Sequence, residues 1–474
     1  MVLPIGLRAF RLLFLPLLFT CSLAQAQQVR RVLTLNNVLD IVRKYHPVAR
    51  QANLFIENAQ AEQLAARGAF DPSFYVYNEQ KTFDGKNYYF YTNPELKIPT
   101  WYGVTLKAGL ESNGGERLIN EATAGRSSYA GISFPLLQNL ALDSRRAVLE
   151  QARIFIRQSE ADRRNVYNNL LFDAAEAYWE WVREYQVFQV VSSAVNINEQ
   201  RLRLVRSSFL GGDRAAIDTI EALTQLQNFQ FLQSEALYRW QATALNLSNF
   251  LWLNDRETFT PTTAIVPDSA WNVVDVQLYP LPIVQDVVAR AMAAHPKLQS
   301  LDAKLDVLEV ERRLRWQSLL PTLNINYNFL NKGYEPWKGI GQNLLQNNYK
   351  YGIEVGMPLL LRQARGNYKI AGIKIRNTTL EQDQTRVEIE NKVQDYYNQV
   401  LTLRQQVKLF EDALENYIRL LRAEEVKFSI GESSLFLLNT RENKVLETTQ
   451  KLVELKTKFF KAQVALQWAG GVLE

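Results

Sequence analysis

Two stretches of this 474-residue chain carry a side-chain pattern that only very long, laterally packed helices satisfy. In the first, Tyr167, Leu170, Ala174, Ala177, Trp181, Glu184, Phe188, Val191, Val195, Asn198, Leu202, Val205 and Phe209 recur at alternating spacings of three and four. In the second, Val393, Tyr396, Val400, Leu403, Val407, Phe410, Leu414, Tyr417, Leu421, Glu424 and Phe428 do the same. A sustained period of 3.5 keeps one seam facing a partner helix, which is coiled-coil packing. From about Leu142 to Phe209 such a helix runs roughly 100 Å at about 1.5 Å per residue, several times the width of a small domain. A helix of that length needs neighbours along most of its surface. The returning segment from about Ala215 to Leu253 is apolar on two sides, Leu237, Trp240, Ala244, Leu247 and Leu251 on one and Phe229, Leu232, Ala236, Thr243, Phe250 and Leu253 on the other. That pattern places it between two neighbours, in a ring of helices or in a bundle.

The chain also repeats itself. Tyr45-His46-Pro47 returns as Ala294-His295-Pro296, and Pro72 returns as Pro321, both 249 residues on (295 − 46; 321 − 72). Phe134-Pro135-Leu136-Leu137 returns as Met357-Pro358-Leu359-Leu360, and Phe209 with Gly212 returns as Phe428 with Gly431. Four landmarks in one order predict two copies of a unit that reads helix, strands, very long helix, Gly turn, helix. The boundaries are 27–254 for the first copy, 282–474 for the second, and a Pro- and Thr-containing linker over 255–281.

Arg8 and Arg11, the short apolar run Leu12–Phe19 and Ala24-Gln25-Ala26 predict a secretory signal peptide over 1–26, cut before Gln27. Cleavage lowers the net charge from +5 to +3 (5 − 2) and removes Cys21, the single cysteine, a poor match to a lipidation site. With 1 Cys and 2 His, both histidines in His-Pro helix starts, a disulfide scaffold and a Cys/His metal site are excluded, and no cofactor is expected. The mild basic excess of 54 Lys+Arg over 49 Asp+Glu is no nucleic-acid footprint. No phosphate-cradling loop or serine elbow points to an enzyme. No later run of about twenty apolar residues offers a transmembrane helix, which leaves a soluble exported protein or a β-barrel.

Candidate strands lie at about 73–82, 101–111, 127–134, 322–330 and 347–357. Thr105, Lys107 and Gly109 alternate with Val104, Leu106, Ala108 and Leu110; Asn324, Asn326 and Asn328 alternate with Leu323, Ile325, Tyr327 and Phe329. Such alternation suits a barrel wall between lipid and water, and equally a half-buried soluble sheet. Aromatics at the strand ends, among them Tyr88–Tyr91, Trp101, Tyr102, Tyr334 and Trp337, resemble interfacial girdles and favour the barrel. The first strand region spans 63 residues from Pro72 to Pro135 against 37 from Pro321 to Pro358 (135 − 72; 358 − 321), which predicts an added hairpin or long external loop around 83–113.

Taken together, signal peptide, duplicated helix–strand–long-helix–helix order, Pro-Leu-Leu at each strand-to-helix junction and Phe-x-x-Gly at each far turn resemble the TolC-like outer-membrane efflux proteins, over roughly residues 33–471. The resemblance implies a mainly α chain with a membrane β-barrel part: a homotrimer in which about four strands per copy share one outer-membrane barrel, continued by an α-helical barrel through the periplasm. It implies an exit duct for an inner-membrane pump or exporter, joined by a periplasmic adaptor (membrane fusion) protein and embedded in outer-membrane lipid. Adaptor docking would fall at the hairpin tips, on Phe209, Gly211, Gly212, Phe428 and Gly431, and the linker at an equatorial collar. Acidic residues lining the entrance would be Asp218 and Glu221. The second copy departs here, with Leu437 and Thr440 at the matching positions, and a helix-dipole role accounts equally for the two carboxylates. A soluble periplasmic coiled-coil scaffold is the alternative.

Overall fold

The computed structural model describes residues 31–473 apart from 119–121, 255, 256, 263, 341–344 and 346. The signal-peptide segment 1–26, with Cys21, and part of the linker therefore lie outside the described residues.

Each repeat begins with a broken helix: α1 (Leu35–Tyr45) and α2 (Pro47–Gly68) in the first, α6 (Val284–Ala294) and α7 (Pro296–Gln317) in the second, with the short strand β1 (Arg31–Leu33) ahead of α1. The break is the same His-Pro device in both. Proline at the first helical position costs no backbone bond there. The histidine before it is extended and caps the new helix through Nδ1, which accepts from the Val48 N–H at 3.2 Å in one copy and from the Lys297 N–H at 3.1 Å in the other.

Four strands follow in the first repeat, β2 (Ser73–Phe83), β3 (Lys86–Pro99), β4 (Thr105–Gly114) and β5 (Gly125–Pro135). The chain then enters α3 (Ser144–Leu210), turns, and returns through α4 (Ala216–Ser248). The short β6 (Ile265–Pro267) pairs in parallel with β1, and α5 (Ala270–Val273) leads on to α6. After α7 come β7 (Thr322–Lys332) and β8 (Tyr349–Gly356), then α8 (Arg362–Ser429) and α9 (Leu435–Ala469). At 67 and 68 residues, α3 and α8 have the length the 3.5-residue period requires. Leu170, Ala174, Trp181, Val191, Val195, Leu202 and Val205 are buried along the first seam, and Val393, Val400, Leu403 and Val407 along the second. Phe188 and Phe410 are half-buried against the same core, Phe188 stacked on Trp240 with centroids 5.4 Å apart.

Helices α2, α3, α7 and α8 pack as neighbours in that order, a single row that leads into the strands. Where the row is thickest, Trp179 and Phe460 stack at 5.0 Å, and Trp271 and Tyr279 from the linker meet their rings edge-on. The linker thus packs across the middle of the long helices.

The sheet corrects the expected strand count. Its order is β2-β3-β4-β5-β7-β8, antiparallel throughout, so among the described residues this sheet has six strands rather than about four. The inserted segment is no long external loop: β3 fills it, and the strand expected at 101–111 starts only at Thr105, after a turn. Pro94 disguises β3 in the sequence, since proline cannot donate to a ladder and reads as a strand break. Strand alternation and register sort the side chains onto two faces. Ser73, Tyr75, Glu95, Lys97, Lys107, Ser127, Tyr129, Asn324, Asn326 and Glu354 share one face; Phe74, Val76, Leu96, Leu106, Leu110, Ile132, Phe134, Ile325, Ile353 and Val355 share the other. On the apolar face Phe74, Val76, Leu106, Ile353 and Val355 are exposed. Among the described residues no helix is long and apolar enough to cross a membrane.

Candidate functional site at the hairpin tips

At the end farthest from the sheet each helical hairpin turns on one glycine. Gly212 and Gly431 have φ of +81° and +83°, the left-handed conformation that ends a helix without a Cβ penalty. The closing bonds match. Gly212 N–H donates to Phe209 O at 3.0 Å and Asp213 N–H to Ser208 O at 2.9 Å; Gly431 N–H donates to Phe428 O at 3.2 Å and Glu432 N–H to Lys427 O at 2.9 Å. Gly211 is in the right-handed region, so the turn rests on its neighbour. Space around both turning glycines is open, which leaves the tips projecting.

The structure brings Asp218, Glu221 and Phe428 together, through residues that the sequence pattern left unmarked. Arg214 lies over the Phe428 ring, 3.9 Å from its centroid, and donates from Nη2 to Phe428 O at 2.7 Å. The same guanidinium sits 4.0 Å from the Asp218 carboxylate. One turn further along α4, Glu221 accepts from Asn439 Nδ2 at 3.1 Å. Spaced i, i+3, the two carboxylates share one face of α4, and that face turns toward the second hairpin. Asp218 also occupies the first turn of α4, where the helix dipole favours it. Leu437 and Thr440, the matching positions on α9, are exposed and carry no charge. Phe209 is about half exposed.

Below the tips a buried polar cluster ties α3 to α9. Asn198 Nδ2 donates to Glu442 Oε1 at 3.0 Å, and Arg201 pairs with the other carboxylate oxygen. Gln225 Nε2 donates to Asn443 Oδ1 at 2.8 Å, joining α4 to α9. On the far side of the turn Glu424 accepts from Ser433 and lies 3.8 Å from Arg441. Among the described residues no cluster of His, Cys, Asp and Glu could hold a metal ion.

The outer membrane efflux protein family model matches residues 287–472, most of the second repeat. Over that stretch the chain resembles the outer membrane efflux proteins. More than nine-tenths of the chain superposes on solved outer-membrane channels. It is similar to the open state of the Neisseria gonorrhoeae MtrE channel at a TM-score of 0.66 and 12% identity, covering 93% of this chain and 89% of that one. It is similar to the Campylobacter jejuni CmeC channel at 0.64 and 14%, covering 92% and 85%. It is similar to Vibrio cholerae VceC at 0.62 and 12%, covering 92% and 96%. No curated protein matches the sequence. At these identities the superpositions establish the fold, and the family match to the second repeat sets it in its context. The match to the second repeat and the superpositions agree: the fold is that of outer-membrane efflux channels.

Proposed function

We propose that three copies of this chain form the outer-membrane exit duct of a tripartite efflux or type I secretion assembly, fed by an inner-membrane pump or exporter through a periplasmic adaptor protein. The observation that carries this reading is the open geometry of one copy: a one-layer row of four helices continuous with a sheet whose two outer strands, β2 and β8, are paired on one side only among the described residues. An unpaired edge is not tolerated in hydrocarbon, so closure has to come from further copies. The exposed apolar face of that sheet speaks against a soluble scaffold, which would have to cover it. The projecting tips, Phe209-Leu210-Gly211-Gly212 and Phe428-Ser429-Ile430-Gly431, are the docking surface for the adaptor in this reading. Asp218 and Glu221 line the narrow entrance beside them.

The test is fractionation and crosslinking in the native host. Urea-washed outer membranes should retain the protein, crosslinking in detergent should give trimers, and photoreactive groups at Phe209 or Phe428 should capture an adaptor. Release by urea with only monomers after crosslinking would return the protein to the scaffold class.

A further inference from the structure

Six strands per copy have a consequence for the width of the exit. We propose that each copy contributes all six strands to the membrane wall, so that the trimer closes an 18-stranded barrel, each seam formed by β8 of one copy against β2 of the next. The inference rests on the trimeric-channel reading and adds the identity of the mating edges and the strand number.

Three observations carry it. First, the inserted strands belong to the wall. Across β2, β3, β4, β5, β7 and β8 the paired registers keep the two faces on the same sides, with no slip between β3 and β4; the β2–β3 ladder shifts only at Lys81/Thr82. A strand that slipped by one residue would turn its apolar set to the wrong face.

Second, β3 and β4 are locked to β5 by side chains. Tyr129 on β5 lies across Gly109 on β4, where an added Cβ would come within 2.5 Å of the phenol ring. Its hydroxyl donates to Glu95 on β3 at 2.5 Å, and Lys97 pairs with the same carboxylate at 2.9 Å. On the opposite face the Phe90 ring covers Gly114. An aromatic ring laid over a strand glycine is a device that pins sheet register. A β3–β4 hairpin folded away from the wall would lose the Tyr129 brace, and a β2–β3 hairpin folded away would lose both.

Third, direction and size agree. The antiparallel order makes β2 run away from the helices and β8 run back toward them, so a β8-to-β2 seam is itself antiparallel and closes a barrel with an even strand number. These are also the two strands whose residues stay exposed almost throughout. With strands about 4.8 Å apart and tilted about 40°, 18 strands close at a backbone diameter of roughly 36 Å and 12 at roughly 24 Å. Four helices per copy give a ring of twelve, which at about 9.5 Å spacing has a diameter of roughly 36 Å. The wider barrel therefore continues the helical tunnel without a step, and the exit passes whatever the tunnel passes.

Electron cryomicroscopy of the wild-type trimer in lipid nanodiscs tests this directly by strand count. Eighteen strands are expected; a trimer with 12 wall strands and a hairpin outside the wall overturns the inference while leaving the channel reading intact. A barrel-free or monomeric particle overturns both. The seam has its own assay. Val76→Cys combined in turn with Tyr351→Cys, Ile353→Cys or Val355→Cys should give intermolecular disulfides for at least one pair in outer membranes. Crosslinks from β8 to Leu106→Cys or Leu110→Cys of the next copy would instead place β4 at the seam and refute the arrangement.

Discussion

Arg214, at the tip of the first hairpin, stacks 3.9 Å from the ring centroid of Phe428 at the tip of the second and hydrogen-bonds its carbonyl oxygen. One side chain thus fastens together two hairpins whose own turns share no backbone bond. A partly exposed cation–π contact contributes roughly 0.5–1 kcal/mol and a hydrogen bond from a charged donor roughly 1.5–3 kcal/mol.

Losing that fastening should loosen the tips. Arg214→Ala is expected to shift the closed-to-open balance by about tenfold or more, given about 1.4 kcal/mol per decade. Single-channel recording in planar bilayers reads this as a rise in open probability. Arg214→Lys should fall between the two, since an ammonium keeps the charge but cannot stack as a planar fork. An unchanged open probability in Arg214→Ala would mean that the stack does not restrain the tips.

A second effect lies deeper in the hairpins. Glu442 is buried with Asn198, and Arg201 is its counter-charge. Removing one member of a buried pair strands the other, at a cost of roughly 3–5 kcal/mol. Glu442→Ala should therefore lower the thermal midpoint markedly. The double variant Arg201→Leu with Glu442→Leu should recover most of the loss, because it leaves no stranded charge. Equal midpoints for the single and double variants would show that packing, not charge, governs this site.

How far these residues were legible differs by interaction range. The long helices, the His-Pro caps and the turning glycines each rest on local rules, a period, a fixed φ or a positive φ, and those are written in adjacent residues. The return of Phe209 with Gly212 as Phe428 with Gly431 singles out the second glycine of the first tip, and its φ of +81° assigns the turn to it. Arg214 and Asn439 were invisible because their partners lie 214 and 218 residues away on another hairpin, and no periodicity reports such a pairing. Strand β3 was hidden for another reason. Pro94 breaks its local pattern, and only the ladders to β2 and β4 on both sides override that preference.

The His-Pro cap makes a pH prediction. Burial, with Lys297 and Lys392 adding to it, pushes His295 down from its ordinary 6.5 to about 4, and its Nδ1 must stay unprotonated to accept from the Lys297 N–H. Burial lowers His46 as well, against a smaller opposing effect of the Asn249 backbone. Between about pH 6.5 and 4 the unfolded chain takes up a proton that the folded chain refuses, so stability falls as pH falls through that window. The loss from His295 amounts to roughly 3 kcal/mol at the acid end, and none of it appears above pH 6.5. His295→Asn keeps a capping acceptor without the titration. Its thermal midpoint should follow pH less steeply than that of the wild type from 6.5 to 4, and parallel curves would assign the acid sensitivity elsewhere.

The entrance carboxylates give the last prediction. In a trimer, Asp218 and Glu221 would contribute six carboxylates (2 × 3) to a narrow ring, and such a ring attracts cations. The structure moderates that expectation. Arg214 sits 4.0 Å from Asp218 and offsets part of its charge, while Asn439 neutralises none of Glu221 and only holds it in place. Leu437 and Thr440 add nothing from the second repeat. Glu221 should therefore dominate. Glu221→Ala is expected to reduce cation preference more than Asp218→Ala, read as the larger shift of reversal potential toward zero under a salt gradient. Asp218→Ala should act mainly by freeing the Arg214 charge, which pushes selectivity in the same direction but leaves block by multivalent cations nearly intact. If both single variants and the double variant keep the wild-type reversal potential, the two carboxylates serve the helix dipole and the hairpin contacts alone.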